Sequence, residues 1–285
     1  MLANTWQLKG LVVRATDGDP GTVDRFLFDD RTWAVRYLTV ETGAWLGTRR
    51  VLISPLFVTH ADWHAKRLDV PLTKKQVANS LDINTRQTVS RQNEAEYLGS
   101  LGYLYYRGGP YLWGQRRYPA DLSDPTATSS ESVAERAGKE SMDSHLRSAE
   151  SVTGYHVEAV DGEIGHVEGF VMDDASWAIR YVEVATRNWW PGKRVLVSPA
   201  WIELVSWTDS KVYVGLTREA IKNGPEYTEP APITQEYDNR LYLHYDRPPY
   251  WRDEVEQNSS PSSRPLLAPR TSTATPIENK MRKGA

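Results

Sequence analysis

Cysteine is absent from the 285-residue chain, and its absence removes a whole group of functions. Disulfides, thiolate zinc sites, iron–sulfur clusters and cysteine nucleophiles all need the thiol that this sequence lacks. Long apolar runs are also missing, since no stretch approaches the roughly 18 apolar residues of a membrane-spanning helix. We therefore expect a soluble, cytoplasmic protein that does not insert into a membrane.

An excess of basic residues is the third feature that the sequence lacks. Its 34 Lys and Arg are outnumbered by 37 Asp and Glu, which gives a net charge of −3. Nucleic-acid-binding surfaces usually show a basic excess, so we expect no specific nucleic-acid partner. Phenylalanine is scarce as well, with 4 residues against 11 Trp and 15 Tyr, and this bias is typical of β-rich structure.

What the sequence does contain is an internal repeat at an offset of 144 residues. Residues 10–63 align with residues 154–207 without a gap, and 23 of the 54 positions are identical. The clearest shared patterns are Asp-Gly-x-x-Gly-x-Val, Trp-Ala-x-Arg-Tyr and Arg-Val-Leu-x-Ser-Pro. This match predicts two copies of one unit, each of about 100 residues.

The repeats define the predicted domain boundaries. A first unit with a Tyr-rich extension covers residues 1–118, and a second unit of the same kind covers residues 148–251. Between them, residues 119–147 are rich in Ser, Ala, Asp and Glu, a composition that predicts a flexible linker. The tail, residues 252–285, is dominated by Ser, Pro, Thr and charge and is expected to be disordered. Because the linker is too polar to join a core, we expect each unit to fold on its own. The alternative is that the two units pack face to face with pseudo-twofold symmetry and stabilise one another.

Short strands are predicted within each unit. The Asp-Gly dipeptides at 17–18 and 161–162 are typical of tight hairpin turns. The alternating pattern around Trp33 and Trp177 predicts a strand with these indoles on its buried face. Thr73 begins a capping box that predicts a short helix. A small, strongly bent sheet or barrel is the natural way for such strands to close.

Each unit is followed by a Tyr-rich stretch, at residues 97–118 and 237–251. The density of Gly and Pro in these stretches argues against regular helix. We interpret them as a cover for an exposed sheet edge, and the alternative is that they serve self-association.

The order of the repeated motifs resembles that of the PRC-barrel family. The resemblance rests on Gly-x-x-Val, then Asp-Gly-x-x-Gly-x-Val, Phe-x-x-Asp-Asp, Trp-x-x-Arg-Tyr and Arg-Val-Leu-Ile/Val-Ser-Pro, and it covers residues 10–72 and 154–216. That family includes the cytoplasmic domain of the photosynthetic reaction-centre H subunit and the C-terminal domain of a ribosome-maturation factor. The resemblance implies a mainly β protein of two small barrels, each with a short helix, and a role in assembly rather than catalysis.

The acidic, histidine and serine residues form no recognised catalytic pattern. The Asp pair at 29–30 and its copy fit turn positions better than a cation-binding loop. His60 and His64 lack an HExxH context and a third ligand. Ser54 and Ser198 precede proline without a nucleophile elbow, which fits turn hydroxyls. We therefore expect no catalytic residue, no cofactor and no metal, and a metal-dependent or hydrolytic enzyme is the least favoured alternative.

Two loops combine aromatic and cationic side chains in a way that predicts a partner surface. Trp and Arg are the residue types most enriched at protein-interface hot spots. The candidate residues are Trp45, Arg49, Arg50, Trp189, Trp190, Lys193 and Arg194. The alternative is a hairpin loop whose Trp folds back on its own sheet under the arginine stems.

These patterns together predict a non-enzymatic interaction module that binds a protein partner or self-associates as a homo-oligomer. The first alternative is a peripheral cytoplasmic subunit of a photosynthetic reaction-centre-like or other membrane complex, which would dock on that complex rather than insert into the membrane.

Overall fold

Two seven-stranded sheets dominate the computed structural model of the chain. The prediction of a mainly β protein with few, short helices is confirmed. The residues that the structure describes are 1–47, 49–81, 97–99, 101, 111–114, 116–122, 145–186, 193–228 and 233–252.

The first sheet takes all but one of its strands from the first repeat. With strands numbered in chain order, they are β2 (Val12–Ala15), β3 (Gly18–Asp29), β4 (Ala34–Thr42), β5 (Arg50–Ile53), β6 (His60–Asp62), β7 (Arg67–Asp69) and β8 (Leu146–Ser148). The sheet runs in the order β5-β4-β3-β2-β7-β6, and β8 pairs with β3 beside that path. Its neighbours are antiparallel except for β2 and β7, which are parallel.

The second sheet repeats this topology with strands of the second repeat. They are β1 (Leu2–Asn4), β9 (His156–Ala159), β10 (Gly162–Asp173), β11 (Ile179–Thr186), β12 (Arg194–Val197), β13 (Ile202–Ser206) and β14 (Lys211–Val214). The order is β12-β11-β10-β9-β14-β13, with β1 paired to β10 and with β9 and β14 parallel.

Helices are short and lie between or after the strands. Among the described residues they include α1 (Lys74–Ala78), α2 (Ala149–Val152), α3 (Arg218–Asn223) and α4 (Gln235–His244), with 3-10 turns at Thr5–Leu8, Ala44–Leu46, Pro55–Phe57, Pro119–Leu122 and Pro199–Trp201. Residues 97–99 are also helical. The predicted capping box at Thr73 is confirmed at the start of α1. The expectation of no regular helix in the second Tyr-rich stretch is wrong, because Thr234 caps α4 and neither Gly nor Pro occurs within it.

The Asp-Gly turns form as predicted and also position the helices. Each Asp lies in the two-residue turn of a hairpin, β2–β3 or β9–β10. Asp17 Oδ1 accepts a hydrogen bond from Lys74 N at 2.6 Å, and Asp161 Oδ1 accepts one from Arg218 N at 2.7 Å. The same residue therefore ends a hairpin and accepts a first-turn amide of the following helix, in both repeats.

Trp33 and Trp177 are buried as predicted, with exposed fractions of 5% and 3%. Their predicted place within a strand is wrong. Both have positive φ, 54° and 57°, and lie in the turns that precede β4 and β11. Each turn is closed by the Trp amide, which donates to the carbonyl of Asp29 or Asp173 at 2.8 Å. The alternating pattern identified the buried side chain but not this left-handed backbone.

The two repeats exchange their N-terminal strands. Strand β1 precedes the first repeat but pairs with β10 of the second, and β8 precedes the second repeat but pairs with β3 of the first. The registers are equivalent, since Asn4 lies opposite Val171 and Ser148 lies opposite Leu27. Asn4 and Ser148 are 144 residues apart, and so are Leu27 and Val171. We call β1 and β8 the arms.

The exchange is centred on Ala34 and Ala178, which are equivalent residues and form a β-bridge with each other. Beside it, the rings of the equivalent Phe26 and Phe170 meet edge to face at 6.1 Å. The flanking hydrogen bonds run from Val35 N to Trp177 O at 2.8 Å and from Ile179 N to Trp33 O at 2.7 Å. A pseudo-twofold axis therefore passes between the two repeats.

The predicted linker, residues 119–147, is structured at both of its ends. Residues 119–122 form a 3-10 turn, and residues 146 and 147 lie in β8. The part between them, residues 123–144, lies outside the described residues, as do residues 253–285 of the predicted tail.

Candidate interaction surface

The predicted surface lies at the ends of two equivalent hairpins, β4–β5 and β11–β12. Thr42 closes the first: its Oγ1 donates to Arg49 O at 2.9 Å and accepts from Arg49 N at 3.0 Å. Thr186 Oγ1 donates to Lys193 O at 2.9 Å in the second. The shared Thr explains why both hairpins present their cations at the same position.

Arg49 and Arg50 lie at the end of the first hairpin and are themselves half-buried. The Arg50 side chain is 40% exposed, and its Nε lies 3.5 Å from Asp24 Oδ2. An ion pair this long and this exposed contributes less than about 1 kcal/mol. Asp24 is also held by Arg25 Nε at 2.9 Å, so the Arg50 guanidinium can turn towards a partner at little cost.

Lys193 is used differently at the second hairpin end. Its Nζ donates to the carbonyl oxygens of Lys222 at 2.5 Å and Gly224 at 3.1 Å. These carbonyls belong to the end of α3, where backbone acceptors lack intrahelical partners and a cation is favourable. The Lys193 ammonium therefore ties α3 to the hairpin.

Arg194 neutralises a buried carboxylate. Its Nη1 donates to Glu183 Oε1 at 3.0 Å and its Nη2 to Glu168 Oε1 at 2.8 Å. The Glu183 side chain is only 2% exposed, and its other oxygen accepts from Asn4 Nδ2 of the first arm at 2.9 Å. A carboxylate buried to this degree needs such partners, so Arg194 has an internal structural role.

The aromatic half of the predicted surface stays a prediction. Trp45 lies in the 3-10 turn Ala44–Leu46, but its side chain lies outside what the structure describes. Trp189 and Trp190 also lie outside the described residues. The structure therefore distinguishes the described cations: Arg50 has a long, exposed ion pair, whereas Lys193 and Arg194 make internal contacts.

Two arginines that the sequence interpretation did not single out hold the Tyr-rich extensions. Arg36 is buried, its Nη1 donates to Leu112 O at 2.7 Å, and its guanidinium lies 4.9 Å from the ring centre of Trp113. The equivalent Arg180 lies 4.2 Å from the ring centre of Tyr250. Arg–aromatic stacking is strongest where water is excluded. The sequence feature that could have identified these two residues is the Arg that both repeats place in an otherwise apolar strand.

The second extension also buries an acid. Asp238 on α4 is 3% exposed and accepts a hydrogen bond from the hydroxyl of Tyr181 at 2.9 Å. Burial raises the pKa of Asp238 to about 6, although the hydrogen bonds from Tyr181 and Tyr250 and the charge of Arg180 oppose the shift. The pKa of Tyr181 is raised in turn, because its ring is buried beside Tyr242 and Asp238.

A groove of about 340 Å³ lies where the repeats meet. One wall comes from residues 58–61 and 118–120, and the other from Asp174, Ala175 and Trp177 of the second repeat. This volume is at the lower end of small-molecule pockets. No sequence motif indicated it, because its walls are more than 50 residues apart along the chain.

Within the described parts of the chain, no group of three or more His, Asp or Glu side chains is arranged to hold a metal ion. The helices described there are all too short or too polar to cross a membrane.

The fold and the hairpin ends together define a mainly β protein of two sheets that exchange strands about a pseudo-twofold axis. Comparison with models of known families gives no match, and comparison with curated proteins gives none either.

Proposed function

We propose that this chain is a non-enzymatic assembly module of two PRC-barrel units that binds a protein partner at the end of the β4–β5 hairpin. The observation that carries the proposal is the contrast between Arg50, which has a long, exposed ion pair with Asp24, and Arg194, which neutralises a buried acid. A Trp followed along the chain by cations is the composition of a hot spot.

A barrel in each half is supported by how the long strands are built. Strand β3 pairs with β2 at one end and with β4 along most of its length, and its register with β4 shifts between Val23 and Arg25 and again between Leu27 and Phe28. Bulges of this kind bend a strand and increase its twist. Strand β10 shows matching shifts against β11, between Val167 and Gly169 and between Val171 and Met172.

A close approach of backbones at the same strands supports strong bending. A Cβ added to Gly21 would lie 2.2 Å from Glu41 O, and one added to Gly165 would lie 1.9 Å from Ala185 O. Only glycine fits where strands are this close, and the motif Asp-Gly-x-x-Gly supplies it in both repeats. Two bent sheets of equal topology are what a pair of small barrels requires.

The experiment compares two double variants for recovery of partners from native lysate by cross-linking. Arg49→Ser with Arg50→Ser is expected to leave the melting temperature within about 2 °C of the parent and to reduce partner recovery at least fivefold. Surface substitutions usually change the free energy of unfolding by about 0.5 kcal/mol or less each. Lys9→Ser, an exposed cation outside the hairpins, is the matched control and should recover partners like the parent.

Lys193→Ser with Arg194→Ser should behave in the opposite way. Loss of Arg194 leaves the Glu183 carboxylate without its closest cation, so unfolding is expected to become easier by about 3 kcal/mol. If the Arg49 and Arg50 variant folds and still recovers every partner, this hairpin end is not the binding surface.

A further inference from the structure

The interface between the repeats is built from equivalent pieces that both contribute. Each repeat extends one arm and receives the other, and the bridge between Ala34 and Ala178 lies at the centre. In such an interface the patch on one unit is the same as the patch on its partner. This isologous arrangement is the one that identical subunits use to form closed dimers.

We propose that a second copy of this chain is a binding partner, and that two chains assemble by exchanging repeats, the first repeat of each pairing with the second repeat of the other. The proposal rests on the assembly role inferred above, and it names the partner and the surface. That surface consists of the arms β1 and β8, the edges of β3 and β10 that receive them, and the axis at Ala34 and Ala178.

Each repeat supplies groups that the other needs for buried polar atoms. Asn4 Nδ2 donates to Glu183 at 2.9 Å, and Thr5 Oγ1 donates to the carbonyl of Phe170 at 3.0 Å. Trp113, fully buried, donates from Nε1 to the carbonyl of Ser176 at 2.8 Å. These first-repeat groups satisfy acceptors on the second repeat, and a buried acceptor left without its donor costs about 1–3 kcal/mol. The second repeat therefore needs a first repeat to satisfy these acceptors, and the first repeat of another chain can supply the same donors.

The hydrogen bonds in the opposite direction follow the same logic. Asp30 has a buried carboxylate that accepts from His145 Nδ1 at 2.9 Å and from Arg147 Nε at 2.8 Å, both near the second arm. The guanidinium of Arg147 also lies 4.2 Å from the ring centre of Trp207. The interface thus has directional polar contacts on both sides of the axis, which fix one register for the pairing.

Whether the two repeats come from one chain or two is decided by concentration. Covalent linkage gives each repeat an effective concentration of the order of 1 mM for its own partner. At micromolar chain concentration most chains are therefore closed on themselves. The exchanged dimer becomes a large fraction as the concentration of refolding chains approaches that value.

The absence of cysteine allows a direct test with single substitutions on the axis. Ala34 and Ala178 form a non-hydrogen-bonded antiparallel pair, in which Cα atoms are about 4.5 Å apart and a disulfide can close. Full-length Ala34→Cys and Ala178→Cys chains are mixed, unfolded in urea, and refolded together at about 0.1–1 mM chain, near the effective concentration. Exchange places one cysteine opposite the other, so we expect a covalent dimer on a non-reducing gel.

Each variant refolded alone is the matched control. In an exchanged dimer of one variant every cysteine faces an alanine, so no axial disulfide forms. The double variant Ala34→Cys/Ala178→Cys, refolded at low concentration, should close the disulfide within one chain. If the double variant closes and the mixture stays monomeric throughout the range, the proposal is overturned.

If the double variant does not close, sedimentation of the parent chain decides. The fraction of dimer after refolding should rise about tenfold for a tenfold rise in chain concentration below the effective concentration, and complete absence of dimer overturns the proposal.

Arg49→Ser with Arg50→Ser should exchange like the parent, because the hairpin end lies outside the arms and the axis. If the chains do not exchange but the Arg49 and Arg50 variant loses protein partners, only the inference of exchanged dimers is overturned. If the chains exchange but that variant still recovers every partner, only the proposed binding surface at the hairpin end is overturned.

Discussion

The two repeats receive equivalent arms but complete the contact with different chemistry. In the second repeat, Asn4 of the arm meets Glu183 and, through it, Arg194. In the first repeat the corresponding residues are Ser148 and Thr39, and neither hydroxyl has a partner among the described residues. At these equivalent positions the second repeat therefore has a charged network, whereas the first repeat has two hydroxyls without described partners. Strand pairing and the polar contacts around it are separable properties of this fold.

The largest expected effect comes from the residues that both repeats share at the axis. Trp33→Ala or Trp177→Ala should lower the free energy of unfolding by about 3–5 kcal/mol, because a buried indole is replaced by a cavity. The backbone carbonyl of each Trp also accepts a hydrogen bond from an amide of the other repeat. Because the two repeats share this interface, calorimetry should show one unfolding transition that shifts as a whole. Trp6→Ala, at a side chain more than half exposed, is the control. Two transitions, of which only one shifts, would contradict a shared interface.

Glu183→Ala tests the charged side of the comparison. The substitution leaves Asn4 Nδ2 and Arg194 Nη1 without their acceptor, and we expect a loss of about 3 kcal/mol in chemical denaturation. Glu168→Ala removes the other carboxylate on Arg194, but that side chain is partly exposed, so the loss should stay below about 1 kcal/mol. Equal effects of the two substitutions would mean that burial of Glu183 does not set its contribution.

Asp238 makes the stability of the second repeat fall as the pH rises from about 4 to about 6. In the folded chain its pKa is raised to about 6, whereas an unfolded Asp titrates near its model value of 3.8. The folded state therefore holds this proton at higher pH than the unfolded state does. The stability contributed by Asp238 is present below pH 4 and is lost as the pH rises to about 6, a change of up to about 3 kcal/mol.

Asp238→Asn should remove that pH dependence while keeping the hydrogen bond from Tyr181. Unfolding free energies measured between pH 4 and pH 7 should be flatter for this variant than for the parent. Glu236→Gln, an exposed acid on the same helix, should retain the parental slope. An unchanged slope in Asp238→Asn would show that another group titrates in this range.

The smallest expected effect belongs to Thr39, the first-repeat counterpart of Glu183. Thr39→Val removes a buried hydroxyl that has no partner among the described residues, so the free energy of unfolding should change by about 0.5 kcal/mol or less. Thr42→Val, three residues along β4, removes a hydroxyl with two hydrogen bonds and should cost about 1–2 kcal/mol. Urea denaturation of both variants gives the comparison, and a large loss for Thr39→Val would mean that its hydroxyl is bonded.

Local features of the fold could be predicted from the sequence because they depend on residues close together in the chain. The Asp-Gly hairpins, the capping box at Thr73 and the turn hydroxyls of Ser54 and Ser198 are all confirmed. The cap and the turn hydroxyls require a side chain to reach a backbone group only two or three residues away, and the hairpins require only a local backbone turn. The helix α4 was missed because the Gly and Pro counted against it lie outside residues 235–244.

The candidate site could be predicted only in part. Arg49, Arg50, Lys193 and Arg194 do lie at equivalent hairpin ends. The sequence could not separate their roles, because the groups that distinguish them, Glu183 and the end of α3, are between 11 and 31 residues distant.

The sequence by itself determined the repeat, the turns and caps within each unit, and the burial of Trp33 and Trp177. Only the tertiary structure decided that β1 pairs with β10 and β8 with β3, since three-residue arms carry too little pattern to identify a strand more than 100 residues away. It also decided that Arg194 neutralises Glu183 while Arg50 has a long ion pair with Asp24. The physical reason is that hydrogen bonds within a turn depend on neighbouring residues, whereas the burial of a charge depends on everything that packs around it.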